Sequence, residues 1–261
     1  MAAAIGNSAN DMTLEPGPWA VQRMATLLLG NAILSQDRGA RLSNLRATDN
    51  LIELLALGNT TVELATAATI ESEKLEALIA ARHYDAPGWR GIDDDFRIIV
   101  TRERWARALR ESWRREMLTA LLADPQFWPG PEHPSSSEIR DFDTLFLRWA
   151  DIVRSMRAPK EIESFRGTLG NSPAERLFGE CLTPTHERCI RRSFYLEDLA
   201  TILRAIDERR VADLRDSDLR ILRAEWSRDR RELSVRIGDK VRRIWPGDGV
   251  LARSPWKQLT E

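Results

Sequence analysis

The chain has 261 residues, of which 43% are hydrophobic and 30% charged, and its formal net charge is −1. That length can bury a sizeable core, and the mixture excludes a wholly disordered chain. The near-neutral balance excludes a polyelectrolyte that binds its partner by bulk charge.

Leu, Ala, Arg and Glu dominate, which favours helix. Residues 1–100 hold 8 Lys+Arg against 13 Asp+Glu, and residues 101–261 hold 31 against 27, so the charge is uneven but mild. The basic residues are almost all Arg; only Lys74, Lys160, Lys240 and Lys257 are lysines. Two cysteines, Cys181 and Cys189, cannot form a disulfide framework for a chain of this size. No apolar run approaches the ~20 residues of a membrane span. Residues 1–10 (MAAAIGNSAN) lack the basic start and apolar core of a secretory signal. These features predict an intracellular protein, cytoplasmic or nuclear, without a membrane span.

In chain order, residues 1–16 read as a flexible segment, and Pro16-Gly17-Pro18 marks its end. Trp19, Met24, Leu27, Leu28 and Ile33 recur near helical spacing in the first helix. Asp37 opens an amphipathic turn through Leu45. Thr48 or Asp49 is expected to cap a separate helix over Asn50 to Leu57. Gly58-Asn59 breaks it, and Thr60 with Glu63 has the spacing of a capping box for the next helix. A further helix is expected over Ser72 to His83, then a turn-rich acidic connection over 85–95. Phe96 to Val100 suits a short strand or a buried turn. Thr101 caps the most amphipathic helix, Arg102 to Ala123, with Trp105, Leu109, Trp113, Met117 and Leu121 four apart. Residues 124–138, with four prolines, form the one clear loop. Helix returns from Asp141 to Met156, again over PKEIESFRGTL, and from His186 onward, continuing through Leu219, Leu222 and Trp226 toward Leu233. Val235 and Ile237 alternate up to Gly238-Asp239, which suits a small β-hairpin within a tail of residues 234–261.

The stretch QDRGARLSNLRATDNLIELLALGNTTVELATAATI (Gln36 to Ile70) resembles an armadillo repeat. It has a polar pre-turn, then NLIELL, a Gly-Asn break, and Val62, Thr66 and Ile70 on a third helix. Residues 186–226 resemble the same unit, with Val211 in the place of Val62. Armadillo- or HEAT-like similarity thus touches about 19–82 and 186–226. The resemblance implies an all-α fold, either a right-handed helical solenoid or an irregular bundle, over residues 17–233. It implies a scaffold that grips another protein chain in a groove lined by the third helix of each unit, 62–70 and 211–222. It carries no catalytic residues.

The remaining constellations are weaker. Cys181, His186 and Cys189 are competent zinc ligands within nine residues, but a structural site needs four and this spacing is not a zinc pattern. No metal, cofactor or catalytic group is expected. A lone buried cysteine and an exposed His186 are expected instead. Asp93-Asp94-Asp95 reads as a solvated turn. The window 226–245 carries seven basic residues, among them Arg228, Arg231, Arg242 and Arg243, between Trp226 and Trp245. Basic residues beside aromatics suit nucleic acid. Trp89 and Trp128 sit in loops beside Gly or Pro, where a tryptophan can anchor an interface. The sequence therefore predicts a non-enzymatic protein-binding scaffold using Trp89, Trp128, Arg228, Arg231, Arg242 and Arg243. The alternative is a helical protein that binds nucleic acid through the basic window.

Overall fold

The structure, a computed structural model, describes residues 17–58, 60–83, 89, 92, 96–124, 128–130, 133–226, 233–237 and 240–245. The described chain is mostly helical. Helices α1 (Pro18–Leu34), α2 (Arg38–Leu57) and α3 (Thr61–His83) pack on one another. A second group follows: α4 (Arg102–Ala108), α5 (Arg114–Ala123), α6 (Ser136–Ser155), α7 (Lys160–Arg166) and α8 (Pro173–Arg176). The long helix α9 (Thr183–Asp207) lies against α3 and also touches α4 and α7, so α3 and α9 join the two groups. Three short strands, β1 (Arg223–Trp226), β2 (Leu233–Ile237) and β3 (Lys240–Trp245), pair antiparallel in that order.

Several boundaries differ from the sequence reading, each for a local reason. Helix α2 is continuous, with no separate start at Thr48 or Asp49. Asp37 caps it, accepting from the Ala40 N–H at 2.6 Å. Thr48 is buried inside the helix, and its hydroxyl donates to the Asn44 carbonyl. Asp49 turns toward α3, where the buried Lys74 ammonium donates to both its oxygens at 2.9 Å. The Thr60–Glu63 capping box forms as expected, with Thr60 N–H donating to Glu63 Oε2 at 2.9 Å. Helix α3 then runs without a break through Ser72 to His83. Helix α6 begins earlier than expected, because Ser135 and Glu138 form a second capping box ahead of Asp141.

The helix over 102–123 contains a π-helical turn, Leu109–Trp113, between α4 and α5. The spacing explains it. Side chains four apart drift by ~40° per step round an α-helix. A wider turn, with i→i+5 bonding, takes up that drift. Trp105, Leu109, Trp113 and Leu121 are all buried as a result. A second π-turn, Leu177–Leu182, joins α8 to α9. The Thr183 hydroxyl donates to the Phe178 carbonyl five residues back, at 2.8 Å.

Two buried carboxylates fix the extended segments. Phe96 to Val100 forms no strand. Its N–H groups at Ile99 and Val100 donate to the two oxygens of Glu71 on α3. On α9, Asp198 accepts from three successive N–H groups, of Arg220, Ile221 and Leu222, at 2.7–2.8 Å. The helix expected to run through Leu219 and Leu222 is therefore absent. Helix α9 ends in a Schellman turn: Arg209 takes φ 56°, and the Arg210 N–H reaches the Ala205 carbonyl at 2.8 Å. Two short 3₁₀ turns, Val211–Asp213 and Asp216–Asp218, follow it.

Replacing Asp198 by Ala strands three backbone donors, of which that of Leu222 is buried. The expected loss is about 3 kcal/mol in urea unfolding, at roughly 1 kcal/mol or more per donor. Hydrogen exchange at Arg220, Ile221 and Leu222 should quicken beyond what the global loss explains. Unchanged protection at those three amides contradicts this role for Asp198.

Candidate functional site

The surface feature that stands out is the outer side of the first helical pair. Helix α1 (PWAVQRMATLLLGNAIL) has one charged residue, Arg23, in 17. A helix that is apolar all round is normally buried on every side. Here one side, formed by Val21, Ala25, Leu29 and Ala32, enters the core. The other side stands in solvent: Trp19, Met24, Leu27 (56% exposed) and Leu34. The Arg23 guanidinium lies over the Trp19 ring, 4.6 Å from its centroid. Leu54 and Leu57 at the end of α2, the latter 72% exposed, and Val62 at the start of α3 add to the apolar surface. Among the described residues, the only other large apolar side chain that is well exposed is Leu122. The sequence signal for this face is the near absence of charge in α1, which apolar periodicity does not report.

The residues singled out from the sequence lie elsewhere. Trp89 is 3% exposed and Trp128 5% exposed, so both fill the interior rather than present an anchor. Trp89 packs beneath the buried guanidinium of Arg41, 5.1 Å from its ring centroid, while Arg41 Nε donates to the Ser35 carbonyl at 2.7 Å. A cation over the ring face offsets part of the cost of burying that charge. Arg228 and Arg231 lie outside the described residues, as do Asp93, Asp94, Asp95, Gly238 and Asp239. Arg242 and Arg243 lie on β3, opposite Val235 and Ser234 of β2. In the stretch 62–70, Leu64, Ala67, Ala68 and Ile70 are buried, Val62 is exposed, and Ala65, Thr66 and Thr69 are half-buried.

His186 is buried, not exposed. It stacks on Trp113 with centroids 4.4 Å apart and an interplanar angle of 22°. Phe146 and Phe178 stand edge-on to it at 6.0 and 6.1 Å. Each π-turn contributes one ring of this cluster, Trp113 from the first and Phe178 from the second. Burial among aromatic rings pulls the His186 pKa down to about 3, so the ring is neutral at neutral pH. Cys189 is half-buried, and burial pushes its thiol up to about 11. It is a thiol, not a thiolate nucleophile, at neutral pH. Cys181 lies on the second π-turn. Among the described residues no group of three His, Cys, Asp or Glu side chains is placed to hold a metal ion, and no helix is long and apolar enough to cross a membrane.

The buried titratable groups set the pH dependence of stability. His186 shifts from 6.5 down to about 3 on folding. Between those values the unfolded chain binds a proton that the fold refuses, so stability falls as the pH drops. Glu71 shifts the other way, from 4.5 up to about 7, chiefly because burial disfavours its charge. Its stabilisation is complete below 4.5 and is lost as the pH rises through 7. Between 4.5 and 6.5 the two slopes oppose and nearly cancel. Each uncompensated proton gives about 1.4 kcal/mol per pH unit. Urea midpoints measured from pH 3 to 8 should therefore carry an acid limb to which His186 contributes, offset by Glu71 and by Glu73, Glu197 and Asp198, whose pKa values burial also raises. His186→Phe should flatten that limb, and an unchanged limb in this variant contradicts the assignment.

Comparison with protein-family models, with curated proteins and with solved structures gives no match.

Proposed function

We propose that this chain is a non-catalytic, intracellular adaptor that binds another protein chain through the outer side of α1 and the end of α2. The observation that carries this reading is the exposure of Trp19, Met24, Leu27 and Leu34 on a helix with one charged residue, together with that of Leu54 and Leu57 on α2, which packs against it. Apolar surface of this density marks an interaction site on a folded protein. A partner that covers it gains the transfer free energy of several large side chains at little cost in ordering, because the helices are already packed. The armadillo-like resemblance points to the same class of role, a helical surface that receives another chain. In this reading the receiving surface is the first helical pair.

Nucleic-acid binding through the basic window has less support. The Arg236 guanidinium there is already held by both oxygens of Glu225, at 2.7 and 3.4 Å. A paired arginine has less to offer a phosphate.

The test compares the purified full chain, immobilised, with its Leu54→Glu/Leu57→Glu double variant in capture from a cell extract. A protein retained by the wild type and lost at least tenfold by the variant supports the reading. Equal retention by both, or no retained protein, contradicts it. Both positions are exposed, so unfolding of the variant is not expected, and circular dichroism checks that.

A further inference from the structure

The exposed residues of α1 follow a second pattern. Ala20, Met24, Leu27, Asn31 and Leu34 all face solvent. Their spacing is 4, 3, 4, 3, which is the alternation of the d and a positions in a coiled-coil heptad. With Ala20 at d, Met24 and Asn31 fall at a, and Leu27 and Leu34 at d. Of the residues that α1 gives to its own core, Ala25, Leu29 and Ala32 fall at b and f, on the far side of the helix, while Val21 and Gly30 fall at e and g, at the edges of the seam. The helix thus carries two separate seams, one filled by α2 and α3 and one open.

We propose that the open seam of α1 pairs with α1 of a second copy of this chain, in parallel and in register, around Leu27 and Asn31. This rests on the reading of that surface as a protein-binding face. Two observations select a second copy over a different chain. The first is charge. Arg23 is the only charged residue of α1, so the helix has no pattern of charges at its flanking positions with which to choose a different partner. Two copies carry a single like charge each, and Arg23 already rests over Trp19. The second is Asn31. A single asparagine at an a position is tolerated where it meets its own copy across a two-fold axis, because each amide then both donates and accepts. In-register parallel pairing brings Asn31 opposite Asn31 and Leu27 opposite Leu27. An antiparallel pair sets a positions against d positions, so Asn31 would face Ala20 or a leucine and its amide would have no partner. The seam is only two heptads, about 25 Å long. An isolated peptide of that length would be a marginal helix. Here α2 and α3 hold the helix already formed, so association does not pay for ordering it.

Sedimentation equilibrium of the purified full chain, from about 1 to 300 μM, tests the proposal. The wild type should pass from monomer to dimer across that range. Leu27→Glu should stay monomeric throughout, a loss of at least 100-fold in association, and its thermal unfolding should match the wild type because position 27 is exposed. Leu122→Glu, an equally apolar and exposed position on α5, should dimerise like the wild type. Asn31→Leu should associate at least tenfold more tightly and form larger species, because the buried asparagine that limits the order is gone. A wild type that is monomeric at every concentration overturns the proposal and leaves the seam to a different protein or to residues 1–16 of the same chain. A dimer that survives Leu27→Glu, or that Leu122→Glu abolishes, overturns it as well. If the wild type is monomeric yet captures a partner that Leu54→Glu/Leu57→Glu loses, the adaptor reading stands and only the self-pairing fails.

Discussion

Two buried carboxylates hold down two extended segments of the described chain. An extended segment on the surface of a helical bundle has no neighbouring strand to satisfy its N–H groups, and an unsatisfied buried donor is costly. Glu71 answers that need for Ile99 and Val100, and Asp198 answers it for Arg220, Ile221 and Leu222. The two acids sit on α3 and α9, the helices that pack against each other at the centre. Each central helix therefore grips the chain that leaves it. Burial raises the pKa of both acids, so the grip sets the solvent's proton activity against the protein's own backbone dipoles.

The packing of α2 and α3 against α1 explains why α1 can be apolar on both sides. Once α2 and α3 have covered Val21, Ala25, Leu29 and Ala32, nothing in the described chain remains to cover Leu27 and Leu34. Lys74 and Asp49 tie α2 to α3, and Arg82 with Asp207 ties α3 to the end of α9. These contacts hold α2 and α3 within the molecule. They leave the outer side of α1 facing away from it.

The mostly helical character was legible because long segments with 3.6-residue periodicity dominate the sequence. Helix starts with a local chemical signature were legible too, as at Thr60 with Glu63 and at Thr101. What sequence could not decide was which of two competent groups does a given job. Asp37 and Asp49 can both cap a helix, and the choice depends on Lys74, 25 residues beyond Asp49. Trp89 and Trp128 sit beside Gly or Pro, as exposed anchors do, but their burial depends on distant partners such as Arg41. Asp198 lies in an ordinary amphipathic stretch, and nothing local marks it as the acceptor of three donors some 22–24 residues away. The candidate binding face was legible in principle, since one charge in 17 residues is a plain signal. Periodicity alone hides it, because a helix with two apolar seams shows no single preferred side.

The π-turn at Leu109–Trp113 has a consequence for how the chain tolerates change in length. A single turn of this kind holds one residue more than the surrounding helix needs. Removing one residue there would convert the wide turn into an ordinary one. Thr101 would still cap one end, and Leu121 would still point inward at the other. The same deletion a turn away in either direction would rotate everything beyond it by about 100° and carry Leu121 out of the core. Over 102–123 the segment Leu109–Trp113 is thus the one place where the helix can shorten by a residue without repacking, although Trp113, at its edge, must stay to meet His186.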